Sequence, residues 1–179
     1  MQTPRFIATF LFAMTIPATA ATPGNIPDGS KDFDFEFGEW HLELKRRLDP
    51  LTGSDRWVEY RGPSIVRKVW DGKANLGEID VSGTEGRIQG LSLRVYDPQS
   101  HQWSIVYASS AGGLSATPMA GGFRNGRGEF HNQETYRGRA IFVRFVFSDI
   151  TAKSFRLEQA FSEDGGKTWE ANWIAAFTR

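Results

Sequence analysis

The stretch FRLEQAFSEDGGKTWEANWIAAF, residues 155–177, predicts a β-hairpin. Apolar and polar residues alternate on both sides of the turn sequence EDGGK, with the period of two that is typical of a half-buried strand. Pairing Phe161 with Trp169 gathers the apolar side chains on one face. This face is predicted to be buried, because a shift by one residue would expose the whole set. The set consists of Phe155, Leu157, Gln159, Phe161, Trp169, Ala171, Trp173, Ala175 and Phe177.

Two turns on the N-terminal side extend this hairpin into a sheet. SDITAK, residues 148–153, is predicted to place Phe145 opposite Leu157, and a two-residue turn at Arg137 and Gly138 pairs Tyr136 with Arg139. The alternation then directs eight further side chains towards the same buried face. They are Phe130, Asn132, Glu134, Tyr136, Ile141, Val143, Phe145 and Phe147.

A further hairpin is predicted around DPQSH, residues 97–101. Pairing Val95 with Trp103 would add Leu91, Leu93, Ile105 and Tyr107 to the interior. Short segments of period two, separated by turn sequences, continue along the chain, and no sustained helical period occurs. The sequence therefore predicts an all-β fold: a single antiparallel meander β-barrel of about ten strands over residues 33–179.

Composition excludes several classes of function. The 21 basic residues balance the 21 acidic residues, which gives no basic excess for binding nucleic acid. The chain has no cysteine, so it has no disulfide, thiol nucleophile or cysteine metal site. No spacing of histidines predicts a metal site, and we expect no cofactor. Six Trp and 14 Phe residues supply large apolar surfaces for a core held by packing alone.

The N-terminus has the pattern of a secretory signal peptide. Arg5 precedes the apolar segment 6–16, and Ala18-Thr19-Ala20 is a small-residue cleavage site. The apolar segment is too short to span a bilayer, so no membrane insertion is expected after cleavage. We predict a signal peptide over residues 1–20, a flexible leader over 21–32, and a periplasmic or extracellular location.

Gly38-Glu39-Trp40, which opens the first strand, resembles the G-x-W signature of lipocalins. Together with the preceding FDF, YDPQSHQW at 96–103 and FSEDGGKTWEANW at 161–173, it makes the chain similar to a family of small exported bacterial proteins with a lipocalin-like, calycin-type barrel and no assigned function. The resemblance implies that Trp40 plugs the closed end of the barrel. It also implies that the Arg179 side chain packs on the Trp40 indole.

The segment SEDGGKTW, residues 162–169, resembles the Asp box of sialidase propeller blades. In that motif the residues are structural, which implies that Ser162 and Asp164 fasten the turn while Gly166 accepts a positive φ. One copy in 179 residues is insufficient for a propeller of four-stranded blades. A glycosidase function is therefore not expected.

The predicted interior contains three polar side chains, those of Asn132, Glu134 and Gln159. Burying such groups is costly unless they bond to each other, to water or to a ligand. We therefore predict that the barrel binds a small, largely apolar molecule. The predicted aromatic lining is Trp103, Tyr107, Phe145, Trp169 and Trp173.

Other functions remain open at this point. The aromatic residues could simply fill the barrel, or Glu134 could act as an acid or base, although no catalytic constellation is found. An outer apolar face at Phe142, Val146 and Ile174 is a candidate homodimer surface. Haem binding through His131 requires a register shift by one residue. Residues 110–122, rich in glycine, form either a loop over the barrel mouth or a simple connection.

Overall fold

The computed structural model describes residues 28–179, and the predicted signal peptide lies outside them. Two 3-10 turns, Asp34–Glu36 and Trp70–Gly72, accompany eleven strands. The strands are β1 (Gly38–Arg47), β2 (Trp57–Val69), β3 (Ala74–Gly83), β4 (Gly86–Asp97), β5 (Gln102–Ser109), β6 (Gly113–Leu114), β7 (Met119–Arg124), β8 (Arg127–Tyr136), β9 (Arg139–Ser148), β10 (Ser154–Ser162) and β11 (Glu170–Thr178).

The strands form a closed antiparallel barrel, which confirms the predicted fold class. Apart from β6 and β7, neighbours in sequence pair with one another. β1 pairs with β11, and the pairing of β5 with both β4 and β7 completes a ring of ten strands. The two-residue strand β6 pairs only with the end of β5. The architecture is that of a lipocalin-like barrel.

Aromatic side chains close the end of the barrel at which β1 begins. Phe33, fully buried, lies at the centre of this plug, with its ring centroid 5.0 Å from Trp103, 4.9 Å from Phe123 and 5.2 Å from Phe147. These three contacts are edge-to-face, an arrangement that aromatic rings favour. The FDF sequence before β1 thus fills the floor of the barrel.

Trp40 belongs to the same plug. Its indole nitrogen donates a hydrogen bond to the Glu36 carbonyl oxygen at 2.7 Å. The guanidinium carbon of Arg179 lies 4.0 Å from the centre of the Trp40 ring, and its Nη1 donates to the Phe37 carbonyl oxygen at 2.7 Å. Gly38 has a φ of 111°, a conformation that only glycine adopts readily. The G-x-W sequence therefore turns the chain into β1 beneath a cation–π contact.

Residues 28–32, the described part of the predicted leader, bond to this floor. The Gly29 amide donates to the Tyr96 hydroxyl at 3.0 Å, and the Trp103 indole donates to the Gly29 carbonyl oxygen at 2.8 Å. These bonds fix the chain ahead of β1, in a segment where the composition predicts flexibility.

The predicted register of β4 is wrong. Tyr96 pairs with Trp103, so every side chain of β4 lies on the opposite face from the one predicted. Asp97 explains the difference, because its carboxylate binds the Gln99 amide and the Ser100 hydroxyl, which sets a four-residue loop between Asp97 and Gln102. Leu91 and Leu93 therefore face solvent, 38% and 41% exposed, and Ser92 and Arg94 face inward.

The turn between β10 and β11, in contrast, is longer than predicted, and Phe161 pairs with Glu170. A β-bulge follows at Asn172, so that Gln159 pairs with Trp173. A bulge adds one residue to one strand and thereby switches the face on which the later side chains lie. The prediction that Trp169 points inward is wrong for this reason, whereas Trp173 does point inward.

The other two hairpins keep their predicted faces. The pairing of Tyr136 with Arg139 is confirmed. Phe145 pairs with Gln159, two residues away from its predicted partner. A shift by two residues preserves the alternation, so the inward set of β9 is unchanged.

Asp164 organises the turn after β10. Its carboxylate accepts hydrogen bonds from the Ser162 hydroxyl at 2.8 Å and from the amides of Lys167 and Thr168 at 3.0 Å each. The Thr168 hydroxyl donates a further bond at 2.7 Å. These bonds lower the pKa of Asp164 to about 2, and the two bonds from Thr168 have the largest effect. The Asp-box sequence therefore has a structural role in this chain, in which the Asp164 carboxylate holds the turn together.

We expect Phe33→Ala to lower the free energy of unfolding by about 3–5 kcal/mol, because it empties the centre of the aromatic plug. Phe142→Ala is the matched control, since Phe142 is 39% exposed on the outer face. It should cost about 1 kcal/mol or less. Urea denaturation followed by far-ultraviolet circular dichroism measures both values. Equal losses would contradict the central position of Phe33.

Asp164 predicts a pH dependence of stability. Its folded-state pKa is lower than the ordinary value of 3.8, so its stabilising effect is present above that pH and disappears as the pH falls towards 2. The difference in melting temperature between the wild type and Asp164→Asn should be largest near neutral pH and shrink between about pH 5 and pH 2. A difference independent of pH would show that the ionised carboxylate does not hold the turn together.

Candidate functional site

The barrel encloses a cavity of about 200 Å³ above the aromatic plug. Strands β1–β5 and β9–β11 contribute to its wall. The lining residues are Glu36, Leu42, Ser64, Val66, Gly77, Ile79, Gly90, Ser92, Arg94, Tyr107, Phe145, Phe155, Leu157, Gln159, Trp173 and Phe177. Apolar side chains supply most of this lining, and two of its polar groups bond to buried neighbours.

The first polar group is an ion pair at the floor of the cavity. Arg94 Nη1 donates to the Glu36 carboxylate and, at 3.0 Å, to Asn75 Oδ1. Arg94 is 7% exposed, Glu36 1%, and Asn75 is fully buried. The Arg94 guanidinium also lies 4.9 Å from the centre of the Phe33 ring. The pair therefore connects the N-terminal plug to the inner face of β4.

Burial controls the protonation of this pair. Loss of water raises the pKa of the Glu36 carboxyl, and the neighbouring Arg94 opposes that rise. Burial likewise lowers the pKa of Arg94, against the attraction of Glu36. Each charge is costly in this environment without the other, so the two groups behave as one unit.

The second polar group lies on the wall at the β-bulge. Gln159 Nε2 donates to Asn172 Oδ1 at 2.6 Å, and Asn172 is 3% exposed. The bulge at Asn172 thus buries an amide that strict alternation would have placed outside. Gln159 itself lines the cavity together with the serines of β2 and β4, Ser64 and Ser92.

A separate open groove of about 710 Å³ lies at the other end of the barrel. It runs between residues 112–117 and the end of β8, where the β7–β8 ladder has already ended at the pair Ala120 and His131. Asn132 Nδ2 spans this part of the wall with bonds to the Thr117 carbonyl oxygen at 2.9 Å and to Glu134 Oε1 at 2.7 Å. The Gly-rich segment therefore forms the rim of a lateral opening.

Tyr107 lines both the groove and the cavity. Burial raises the pKa of its phenol, and the positive charge of Arg46 opposes this effect. A Cβ atom on Gly90 would lie 2.4 Å from the Tyr107 hydroxyl oxygen, so glycine at this position makes room for the ring. Tyr107 is accordingly the side chain between the two spaces.

The structure brings together four of the eight ligand-binding residues that the sequence predicts. Tyr107, Phe145, Gln159 and Trp173 line the cavity. Trp103, 1% exposed, belongs to the aromatic plug instead.

The other three residues lie elsewhere. Asn132 and Glu134 bond to each other at the lateral groove, away from Gln159. Trp169 lies on the outer surface, where its ring stacks on the Arg144 guanidinium at 4.5 Å and contacts His131.

Sequence reasoning missed Arg94 and Glu36. The wrong register of β4 placed Arg94 outside, and Glu36 precedes the first strand, where alternation gives no prediction. Asp97 was a sequence signal for the correct register, because an Asx-type turn residue at the end of β4 favours the four-residue loop between Asp97 and Gln102. In that loop Arg94, rather than Leu93, faces inward.

Other candidate sites receive less support. Within residues 28–179, no group of three or more His, Asp or Glu side chains is arranged to hold a metal ion. His131 faces outward, with its Nε2 3.3 Å from the Glu129 carboxylate. Of the predicted outer patch, Phe142 is exposed but Val146 is only 4% exposed. No helix in the described part of the chain is long and apolar enough to cross a bilayer.

Comparison with known proteins identifies structures of similar fold but no family. No protein-family model matches the sequence, and no curated protein matches it. The S-type phycobiliprotein lyase CPES from Guillardia theta is similar in structure, with a TM-score of 0.59 and 11% identity over 86% of this chain and 93% of the lyase. At this identity the likeness shows a shared barrel fold.

Two other barrels are similar to a lower degree. EF1p2_mFAP2b bound to DFHBI has a TM-score of 0.46 and 8% identity, over 84% of this chain and 98% of that one. A fluorescence-activating β-barrel designed de novo has a TM-score of 0.44 and 12% identity, over 86% of this chain and 99% of that one.

The buried pair predicts a characteristic double-mutant cycle. Arg94→Met should lower the free energy of unfolding by about 3–5 kcal/mol, because it leaves the Glu36 carboxylate buried without its partner. Adding Glu36→Met to Arg94→Met should restore most of this loss, since both charges are then absent. Urea denaturation of the single and double variants measures the cycle. Additive losses would show that the two side chains do not form a buried pair.

Proposed function

We propose that this protein binds a small, largely apolar molecule in the cavity of the barrel. The observation that carries the proposal is the interior space of about 200 Å³, lined mainly by apolar side chains with a few polar groups at fixed positions. Binding sites for small molecules typically combine these features.

The distribution of side-chain size supports an open interior. Gly77, Gly90 and Ser92 occupy inward positions of β3 and β4, while Phe145 and Trp173 occupy the wall on β9 and β11. Protein cores are packed densely, so unfilled space inside a barrel is unusual. Tyr107 packs over Gly90 and Arg94 lies beside Gly77, and the cavity is the space that these side chains and the large residues of the other wall leave unfilled.

The lateral groove supports a route of entry. It is open to solvent, and Tyr107 alone is common to it and to the cavity. We propose that a ligand passes between residues 112–117 and β8, with Tyr107 turning aside. The side-chain bonds of Asn132 to Thr117 and Glu134 hold this part of the rim.

We further infer that the chain is a member of the lipocalin-like family that its G-x-W sequence resembles, and that it acts after export. The contact of Arg179 with Trp40 supports the first inference. The second rests on the signal-peptide pattern of residues 1–20. A periplasmic or extracellular location stays a prediction.

Filling the cavity tests the proposed function. Isothermal titration calorimetry with n-butylbenzene, an uncharged apolar probe, should give a Kd on the order of 0.1 mM for the wild type. Ser92→Leu places a larger side chain in the cavity and should weaken binding at least tenfold, on the order of the volume effects seen in cores. Ser104→Leu is the matched control, because Ser104 is exposed on the outer face of β5.

Two results would contradict the proposal. Absence of butylbenzene binding to the folded wild type would indicate that the cavity does not admit an apolar molecule. Equal weakening by Ser92→Leu and Ser104→Leu would indicate that the probe binds elsewhere.

A further inference from the structure

The polar atoms around the cavity have an excess of hydrogen-bond donors. Three buried atoms at or next to the lining have no partner within residues 28–179: Arg94 Nε, and the Nδ2 atoms of Asn75 and Asn172, whose Oδ1 atoms bond to the lining residues Arg94 and Gln159. All three carry N–H groups, and among the described residues no unpartnered buried acceptor atom accompanies them at the cavity. Buried donors without partners are rare and costly, so this region favours a ligand that brings an acceptor atom.

The orientation of Asn75 follows from Arg94. A guanidinium only donates, so Asn75 must present its oxygen to Arg94 and its amide nitrogen elsewhere. The bonds of the Arg94 guanidinium within residues 28–179 are both made by Nη1. Nη2 makes neither of these bonds, and Arg94 lines the cavity, so the N–H groups on Nη2 are the part of the guanidinium that a ligand at the cavity floor can reach.

Charge decides which kind of acceptor fits. The Arg94 charge is already balanced by Glu36, and both are nearly inaccessible to water. A ligand carboxylate at Arg94 would bring a second negative charge next to Glu36 at low dielectric, where repulsion is strong. An ammonium group would meet the unpaired N–H donors. A neutral acceptor meets neither penalty.

On the basis of the proposed function, we infer that the ligand is a neutral molecule with a carbonyl-type acceptor, a ketone, ester or amide, at the end that contacts Arg94. The carbonyl oxygen accepts from the free N–H groups of the guanidinium. The apolar remainder lies between Phe145, Leu157 and Trp173 and extends towards Tyr107. The ion pair thus acts as an uncharged donor surface.

A matched series of probes tests this inference on the wild-type protein. The probes are 4-phenylbutan-2-one, n-butylbenzene, 3-phenylpropanoate and 3-phenylpropylammonium, which share one apolar body and differ in the end group. Isothermal titration calorimetry at neutral pH should show the ketone binding about tenfold more tightly than the hydrocarbon, as for a hydrogen bond to a charged donor. It should bind at least tenfold more tightly than either ion.

A conservative substitution locates the donor. Arg94→Lys retains the charge opposite Glu36 but loses the fork of N–H groups, so the preference for ketone over hydrocarbon should fall several-fold. Arg87→Lys is the control, since Arg87 lies on the same strand but pairs with Asp80 on the exposed face. It should leave the preference unchanged.

The outcomes separate this inference from the proposed function. Equal binding of ketone and hydrocarbon, or tighter binding of the carboxylate, would overturn the neutral-acceptor inference and leave an apolar binding barrel. An unchanged ketone preference in Arg94→Lys would overturn the role of the guanidinium. Failure of all four probes to bind the folded protein would overturn the proposed function as well.

Discussion

The ion pair between Glu36 and Arg94 fixes the relation between the plug and the wall of this barrel. Glu36 lies in the segment that closes the floor, and Arg94 lies on the inner face of β4. Neither charge is tolerable at this depth alone, so forming the pair requires the plug and the register of β4 together. Such a pair adds little net stability over apolar residues. Its consequence is a polar floor beneath an apolar cavity.

The cavity above this floor exists because residue size is distributed unequally around the barrel. Three inner positions of β3 and β4 are small, and Arg94 has room beside one of them, Gly77, with 3.4 Å from Nη1 to the position of a Cβ atom. Larger residues there would displace the guanidinium and fill the space. The same glycines that weaken strand packing thus permit both the buried pair and the cavity.

Alternation of side chains predicted the fold class and much of the interior. It succeeded on β8, β9 and β10, because an error of two residues in register preserves which side chains point inward. It failed where the register was wrong by an odd number of residues, because such an error reverses the faces. The Asp97 turn reversed β4, and the bulge at Asn172 turned Trp169 outward.

The two errors that reversed side-chain faces also decided which residues of the site could be predicted from the sequence. Tyr107, Phe145, Gln159 and Trp173 lie on strands with the predicted faces, and the sequence identified them. Arg94 depended on the length of one loop. Glu36 depended on a tertiary contact with a residue 58 positions away, which local patterns do not contain.

The most direct test of this account is a crystal structure of the protein purified without detergent and exposed to 4-phenylbutan-2-one. The account predicts a hollow barrel in which density for the ketone lies between Phe145 and Trp173, with its oxygen within hydrogen-bond distance of Arg94. A barrel in which Tyr107, Phe145 and Trp173 close the space, with the ketone absent from the interior, would contradict it.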